Sequence, residues 1–500
     1  MPRMEEEVFS LTFWVILSTG LHLLAFFGVV LHALQRRRNP GATVLWIFLA
    51  LSFPVVGALF YLAFGVDRVA DKGFEKRVSN EALHRAREGH HSESSGFMLW
   101  HKKYRVNLSS LDPLLERLNK ALDYLIPEHP LLEGNQIQPL LCGDQAYSLM
   151  MDAIRSATHH IHIQSFIFAH DETTIEFLDL LQQKAEEGIK VRLLFDRFGS
   201  AHAYLSGLFR KYAKIPNLDI QGWTQANVFK RQFQINLRNH RKNLVVDGRI
   251  AFFGGVNISS ENKTIDKKPP IRDYHFQVQG PLVHELQYAF LRDWHFITGE
   301  SIDCLLIPKH FPSLKTEGNV YARIIDSGPS YLPGLLGETF FNAIVMAQKQ
   351  ILLVTPYFAP TIDLIKALRS AARRGVDVRI ILPEENNHRY AGFAAKALYE
   401  ELLEAGVRIF HRKPPFIHAK AMLVDNTTAF VGTSNFDVRS LELNYETTVL
   451  ICEEVAVNKI KENILEDISL STEIFLNAWL KRPASQKLLE NLCSLMTPIL

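Results

Sequence analysis

The stretch "NHRKNLVVDGRIAFFGGVN", residues 239–257, sets His240 and Lys242 two apart at the mouth of an apolar run, then adds Asp247, two glycines and Asn257. Side chains alternate between the faces of a β-strand, so His240 and Lys242 point the same way. One such copy is compatible with a strand whose first turn carries exposed polar residues. The order recurs, however, without a gap, as "HAKAMLVDNTTAFVGTSN", residues 418–435. His418, Lys420, Asp425 and Asn435 each lie 178 positions beyond His240, Lys242, Asp247 and Asn257. H-x-K-x4-D is expected on the order of 0.05 times by chance in such a chain, before the shared tail is required.

The flanks repeat too. "HIHIQSFIF" (160–168) reads as a strand, "TIEFLDLLQQKAEEG" as an amphipathic helix closed by Gly188, and "IKVRLLFD" as the next strand. "QILLVTPYF" (350–358), "TIDLIKALRSAARRG" and "VDVRIILP" give the same order again. Strands alternating with helices predict an α/β sheet with helices packed on it, built twice. A duplicated unit that pairs about a pseudo-two-fold axis would bring two histidines and two lysines into one cleft.

Such a cleft suits phosphoryl chemistry. One neutral imidazole can attack phosphorus and form a phosphohistidine, while the other, protonated, gives its proton to the leaving alkoxide. Lys242, Lys420, Asn257 and Asn435 would hold the non-bridging oxygens, which makes a metal ion unnecessary. Asp273 and Glu446 follow the two histidines by 33 and 28 residues, and each is expected to orient the histidine of its own copy. Asp247 and Asp425 complete the catalytic motif. They sit an odd number of positions from their histidines, on the other face of a regular strand, so a structural role at the strand-to-turn junction is expected of them.

Away from the motifs, residues 8–35 carry no charged side chain, and neither do residues 41–66 beyond "RRRNP". Runs of 28 and 26 residues are long enough for a hydrocarbon core of about 30 Å, and two of them predict a transmembrane helical hairpin over residues 1–66. Pro54 and Gly57 are tolerated in a membrane helix, and His22 and His32 are given no chemical role. Arg36, Arg37 and Arg38 argue for a cytoplasmic turn. Arg3, Arg68, Lys72, Lys76, Arg77 and Arg85 outnumber them and argue for a cytoplasmic catalytic region. Residues 67–108, with "REGHHSESSG", read as a polar linker with some helical character rather than a folded unit, in which His90 and His91 are solvated. Two half-domains over 109–310 and 311–500 complete the organisation.

A net charge of +2 is too small to imply nucleic acid. Cys142, Cys304, Cys452 and Cys493 show no C-x-x-C spacing, so neither a thiolate zinc site nor a redox pair is indicated. No G-x4-G-K-[ST] loop is present, and "DGRIAF" has Phe252 where a metal-dependent D-G-x2-A-R alcohol-phosphotransferase motif needs arginine.

H-x-K-x4-D-x6-G-[GST]-x-N, present twice behind two apolar runs, resembles the phospholipase D superfamily and, within it, the bacterial cardiolipin synthases. "SFPVVGALFYLAFG", "GTSNFDVRSLELNYE" and "WLKRPASQKLLENLCSLMTPIL" extend the resemblance over nearly the whole chain. The tails differ, GGVN in the first copy and GTSN in the second, within that family's variation. The resemblance implies a duplicated α/β/α sandwich in a bacterial inner membrane, multi-pass, that needs no cofactor. It implies phosphatidyl transfer between two phosphatidylglycerol molecules, with His240 as nucleophile and His418 as acid and then base, giving cardiolipin and glycerol. A membrane-anchored phospholipase D, in which water resolves the intermediate, is the alternative.

Overall fold

The computed structural model describes residues 2–35, 40–65, 68–89, 100–223, 237–329, 334–495 and 497. It divides into two units, Met1–Asp71 and Lys72–Leu500.

In the first unit Pro2–Gln35 is one helix, and its segment Thr12–Gln35 has a mean hydropathy of 2.1. The second apolar run does not form the second long helix of the expected hairpin. Its helix Pro40–Ser52 stops, Val56–Phe60 resumes for barely a turn, and Tyr61–Gly65 continues as a π-turn. The cause is Pro54: it lacks an amide proton and crowds the carbonyl four residues back, and the next residue, Val55, takes a φ of 60°. Among the described residues, one helix rather than two is long and apolar enough to cross a membrane. His32 is a packing residue, its Nδ1 lying 2.7 Å from the Tyr61 hydroxyl. Arg36, Arg37 and Arg38 lie outside the described residues.

The second unit carries its strands in two sets. The first comprises β1 (Leu132–Leu140), β2 (His160–Ser165), β3 (Lys190–Asp196), β4 (Leu218–Trp223), β5 (Asn243–Val246), β6 (Ile250–Gly254) and β7 (His275–Gln279). The second comprises β8 (Val320–Ser327), β9 (Gln350–Val354), β10 (Phe358–Ala359), β11 (Asp377–Pro383), β12 (Arg408–Arg412), β13 (Ala421–Val424), β14 (Thr428–Gly432), β15 (Phe436–Asp437), β16 (Glu446–Ile451) and β17 (Ser471–Ile474). Fifteen of them form one mixed sheet in the order β17-β12-β11-β9-β13-β14-β16-β8-β1-β7-β6-β5-β2-β3-β4, while β10 and β15 pair separately. Reading outward from the β8–β1 junction, each half repeats the same sequence of strands, and β17 adds an edge. The duplication seen in the motifs is therefore a duplication of topology.

Each motif forms a hairpin, β5–β6 and β13–β14, whose strands are buried throughout except for the half-buried Ile250 at the start of β6, as a near-continuous apolar run flanked by helices requires. The halves share one apolar interior. Leu282, Val283 and Leu286 of the helix Leu282–Thr298 meet Val457, Ile460 and Ile464 of the helix Glu454–Ser469 in a single cluster with the central strands.

The polar-linker reading of residues 67–108 is also corrected. Arg68–Gly89 is a helix in which Lys76 and Arg87 are completely buried. Lys76 Nζ lies 2.8 Å from Asp293 Oδ1, and Arg87 donates to the Glu128 carbonyl. Local composition suggested solvation; the partners that bury these charges stand far away in sequence. His90 and His91 lie outside the described residues. The C-terminal helix Ala484–Ser494 packs on the helix Arg389–Ala397 and leaves Leu488, Leu492 and Leu495 exposed.

Candidate active site

The two histidine loops meet at the junction between the halves, each stitched to the opposite half. Tyr445, just before β16, takes His240 N–H on its carbonyl at 2.9 Å and donates to Arg238 O. In the mirror arrangement Arg272 accepts from His418 N–H at 2.7 Å and donates to Phe416 O. Because the backbone crosses in this way, the carboxylates cross as well. His240 Nδ1 lies 3.0 Å from Glu446 Oε2, and His418 Nδ1 lies 2.7 Å from Asp273 Oδ2. This corrects the expectation that each carboxylate serves the histidine of its own copy. Asp273 and Glu446 are themselves equivalent, since Gly255 N pairs with Tyr274 O as Thr433 N pairs with Thr447 O.

The differing motif tails follow from the same geometry. A Cβ on Gly255 would stand 1.9 Å from Asp273 Oδ1, so glycine makes room for that carboxylate. At the equivalent position Thr433 places its hydroxyl 2.5 Å from Glu446 Oε2 and donates to it. A carboxylate accepting from Nδ1–H leaves Nε2 as the unprotonated nitrogen of each ring. Both rings line a cavity of about 460 Å³ together with Asn257 and Asn435.

Burial dominates the electrostatics. It pushes His240 down to about 4 against the pull of Glu446. Burial, aided by Lys420, does the same to His418 against Asp273. Asp273 and Glu446 are held below the usual carboxylate range: burial alone would raise them, but Lys420 and His418 act on the first, and His240 and Lys242 on the second. Burial lowers Lys242 to about 7 and Lys420 to about 8. Both ammonium groups turn back onto the carbonyl of their own histidine, Lys242 Nζ at 2.7 Å from His240 O. Lys420 Nζ also stands 2.8 Å from His418 Nδ1, a proximity that is not a hydrogen bond while that nitrogen carries the proton given to Asp273. Of the two asparagines, Asn257 Oδ1 accepts from Ile167 N, whereas Asn435 Oδ1 is buried without a partner among the described residues.

Asp247 and Asp425 stand apart from this cluster. Asp247 accepts from the backbone of Thr158, His159 and His160, and Asp425 from Gln348, Lys349 and Gln350. Each ties the far end of its motif strand to the start of the neighbouring strand, β2 or β9, at a turn where it takes a positive φ. Their inclusion in a catalytic set is therefore corrected to a structural role, as their odd spacing from the histidines required.

Three groups near the site escaped the sequence reading. Arg238 and Arg439 line the cavity, and burial lowers Arg238 to about 10. Arg241, between the two motif residues His240 and Lys242, is completely buried and bridges Asp293, at 2.5 Å, and Asp326. Arg241 sits at an odd position, on the face away from the cavity, which is the only signal the sequence offered for it.

Fold and site together define a phospholipase D-like catalytic body, in which two copies of one motif build a single two-histidine cleft. Residues 150–294 and 340–468 match the family model "Cardiolipin synthase, PLD-like domain", and residues 21–65 match "Phospholipase_D-nuclease N-terminal". The chain belongs to the cardiolipin synthase family of the phospholipase D superfamily. It is 33% identical over 525 residues to a cardiolipin synthase of Halalkalibacterium halodurans, covering 99% of this chain and 100% of that one. It is 34% identical to cardiolipin synthase 1 of Bacillus anthracis, covering 97% and 93%. Among solved structures it is similar in fold to a phosphatidylserine synthase of Haemophilus influenzae, with TM-score 0.58 and 17% identity, over 77% of this chain and 100% of that chain.

Proposed function

We propose that this cardiolipin synthase transfers a phosphatidyl group from one phosphatidylglycerol to another, with residues 109–310 and 311–500 each supplying half of the site. The observation that carries the reading is the crossed pair of carboxylate–histidine contacts, which puts His240 and His418 on one cavity with their Nδ1 atoms already engaged.

His240 Nε2 attacks phosphorus. The bond to the glycerol oxygen breaks, and His418 donates its proton to that oxygen, so that glycerol leaves and phosphatidyl-His240 remains. The terminal hydroxyl of a second phosphatidylglycerol then gives its proton to His418 and attacks phosphorus, which releases His240 and cardiolipin. One phosphodiester replaces another, so the exchange needs no nucleotide. A phosphodiester anion in the cleft favours the charged forms of His418, Lys242 and Lys420 and offsets the burial that lowers them here. Asn257, Asn435 and the lysines would hold the non-bridging oxygens as charge moves through them.

The apolar helix and the N-terminal family match associate the protein with a membrane, and such an anchor raises the effective concentration of headgroups at the site. A single crossing by Thr12–Gln35 would put Arg36–Arg38 and the catalytic unit on one side and Arg3 on the other. The positive-inside bias then favours the cytoplasmic face of the bacterial inner membrane.

The test is covalent capture. Reconstituted protein is mixed with phosphatidylglycerol labelled in its phosphate, quenched in denaturant at alkaline pH, and mapped by peptide mass. Label on His240 in the wild type, and none in His240→Ala, is expected. Label confined to His418 would reverse the two roles, and cardiolipin formation without any protein label would remove the covalent step.

A further inference from the structure

At the end of the first-half sheet remote from the catalytic cavity, four histidines gather. His159, His160 and His162 stand at the start of β2, and His310 reaches them from the connector between the halves. One ring nitrogen from each of His159, His160 and His310 lies within 4.8 Å of the others. We propose that His159, His160 and His310 bind one divalent transition-metal ion of the zinc class, which clips the connector between the halves onto the first-half sheet.

The donor set fits. Neutral imidazoles are first-choice ligands for zinc and its neighbours, at about 2.0–2.1 Å, and three of them leave a fourth position for water. The partly exposed His159 gives the site an opening, while His160 and His310 are buried. Burial keeps all three below their ordinary range, so they are unprotonated near neutral pH. Lys309 and Arg192 are the nearby cations; Arg192 is engaged by Glu300 at 2.5 Å, and the Asp247 carboxylate supplies a counter-charge to His159.

The outer contacts are those of ligating histidines. His310 Nδ1–H donates to the Leu305 carbonyl at 2.8 Å, which frees Nε2 for an ion. Gln287 lies 3.1 Å from His160 Nε2. Without an ion, the amide of Gln287 donates to that nitrogen, and His160 Nδ1 must then give its proton to His159 Nδ1, 2.8 Å away. That arrangement leaves Gln287 Oε1 buried and unpartnered among the described residues. An ion on His160 Nδ1 reverses the tautomer, so that Nε2–H donates to Gln287 Oε1 once the carboxamide turns, and the orphan is satisfied.

The site belongs to one half only. At the equivalent start of β9 stand Lys349, Gln350 and Leu352, which offer no imidazole. It also lies at the Asp247 end of the motif strand, seven residues and up to about 23 Å of extended chain from His240, so its ion takes no part in phosphatidyl transfer. What it secures is the connector at His310–Pro312, which already crosses so close to the Asp247 turn that a Cβ on Gly248 would stand 2.4 Å from His310 O.

The test uses the untagged full chain in detergent micelles, stripped with a chelator and titrated with Co²⁺ while its visible absorption is followed. Expected are the bands of four-coordinate Co²⁺ saturating at one equivalent, their loss on addition of Zn²⁺, and a higher melting temperature with the ion. His159→Ala, at a partly exposed position, should weaken binding at least tenfold, and His310→Ala likewise. Gln287→Leu should weaken it about tenfold through the lost outer contact. His90→Ala/His91→Ala and His240→Ala should bind as the wild type does. A wild type that takes up no ion, or binding unchanged in both His159→Ala and His310→Ala, overturns the proposal.

Discussion

Replacing Asp273 by asparagine separates the crossed arrangement from the one that chain order suggests. Asp273 Oδ1 accepts from Tyr274 N–H at 2.8 Å, so an asparagine there must keep its carbonyl on that amide. Its NH2 group then faces His418 Nδ1 in place of the oxygen that stood 2.7 Å away. The ring is forced into the opposite tautomer, with its proton on Nε2, and can no longer cycle between acid and base. The comparable carboxylate-to-amide change beside a serine-protease histidine lowers kcat about 10⁴-fold, or about 5 kcal/mol at 1.36 kcal/mol per decade. A loss of about 10³- to 10⁴-fold in cardiolipin formation is expected here. The assay compares the natural donor with a phosphatidyl ester of p-nitrophenol, whose leaving group needs no proton. Asp273→Asn should behave as His418→Ala does, with a retained burst of nitrophenolate on the activated donor, and Glu446→Gln should behave as His240→Ala does, with the burst lost. If Asp273→Asn instead matches His240→Ala, the carboxylates act within their own halves and the crossed contacts are refuted, whichever histidine is the nucleophile.

Further outcomes follow from neighbouring contacts. Gly255→Ala drives a methyl group into the Asp273 carboxylate and should reproduce the Asp273→Asn phenotype with the melting temperature lowered by only a few degrees, which scanning calorimetry beside the two-donor assay would check. Asp293→Ala leaves Lys76 and Arg241 buried without their shared carboxylate; a loss of about 3–5 kcal/mol is expected from denaturant midpoints. Acid should weaken the fold early. His240, His275 and His418 are pushed by burial from an ordinary 6.5 to about 4, so they hold fewer protons folded than unfolded. Stability is whole above pH 6.5 and falls as pH drops toward 4, by about 4 kcal/mol per pH unit for the three together; urea midpoints flat between pH 7 and 4.5 would contradict this. In the alkaline direction kcat/KM should decline above about pH 7–8 as Lys242 and Lys420 lose their protons, and a profile level to pH 9 would show that the ammonium charges are not needed to bind substrate.

The motif hairpins, the duplication and the structural use of Asp247 and Asp425 were legible because each rests on local spacing: period two along a strand, and a repeat at one fixed offset. The partner of each histidine was not, because Asp273 and Glu446 each follow the histidine of their own copy at comparable distances and only the stitching of Arg238–His240 to Tyr445 and of Phe416–His418 to Arg272 decides the pairing. The burial of helix Arg68–Gly89 is hidden in the sequence for the opposite reason. Its composition is that of a solvated segment, and the groups that bury its charges, Asp293 and Glu128, are far along the chain. Pro54 is tolerable in a spanning helix, and nothing in the local pattern shows that Pro40–Ser52 stops after 13 residues. Arg241 carried one hint, its odd position between His240 and Lys242, but an arginine whose two carboxylate partners come from Asp293 and Asp326 cannot be paired from spacing alone.

Passage of a phosphatidyl group from lipid to lipid through one cleft, built by both halves, is read out by incubating membrane-reconstituted protein with labelled phosphatidylglycerol alone and counting every product, beside His240→Ala and His418→Ala. Cardiolipin and free glycerol in equal amounts are expected from the wild type and neither from the two variants. Phosphatidic acid without cardiolipin, or cardiolipin from either variant at the wild-type rate, would contradict it.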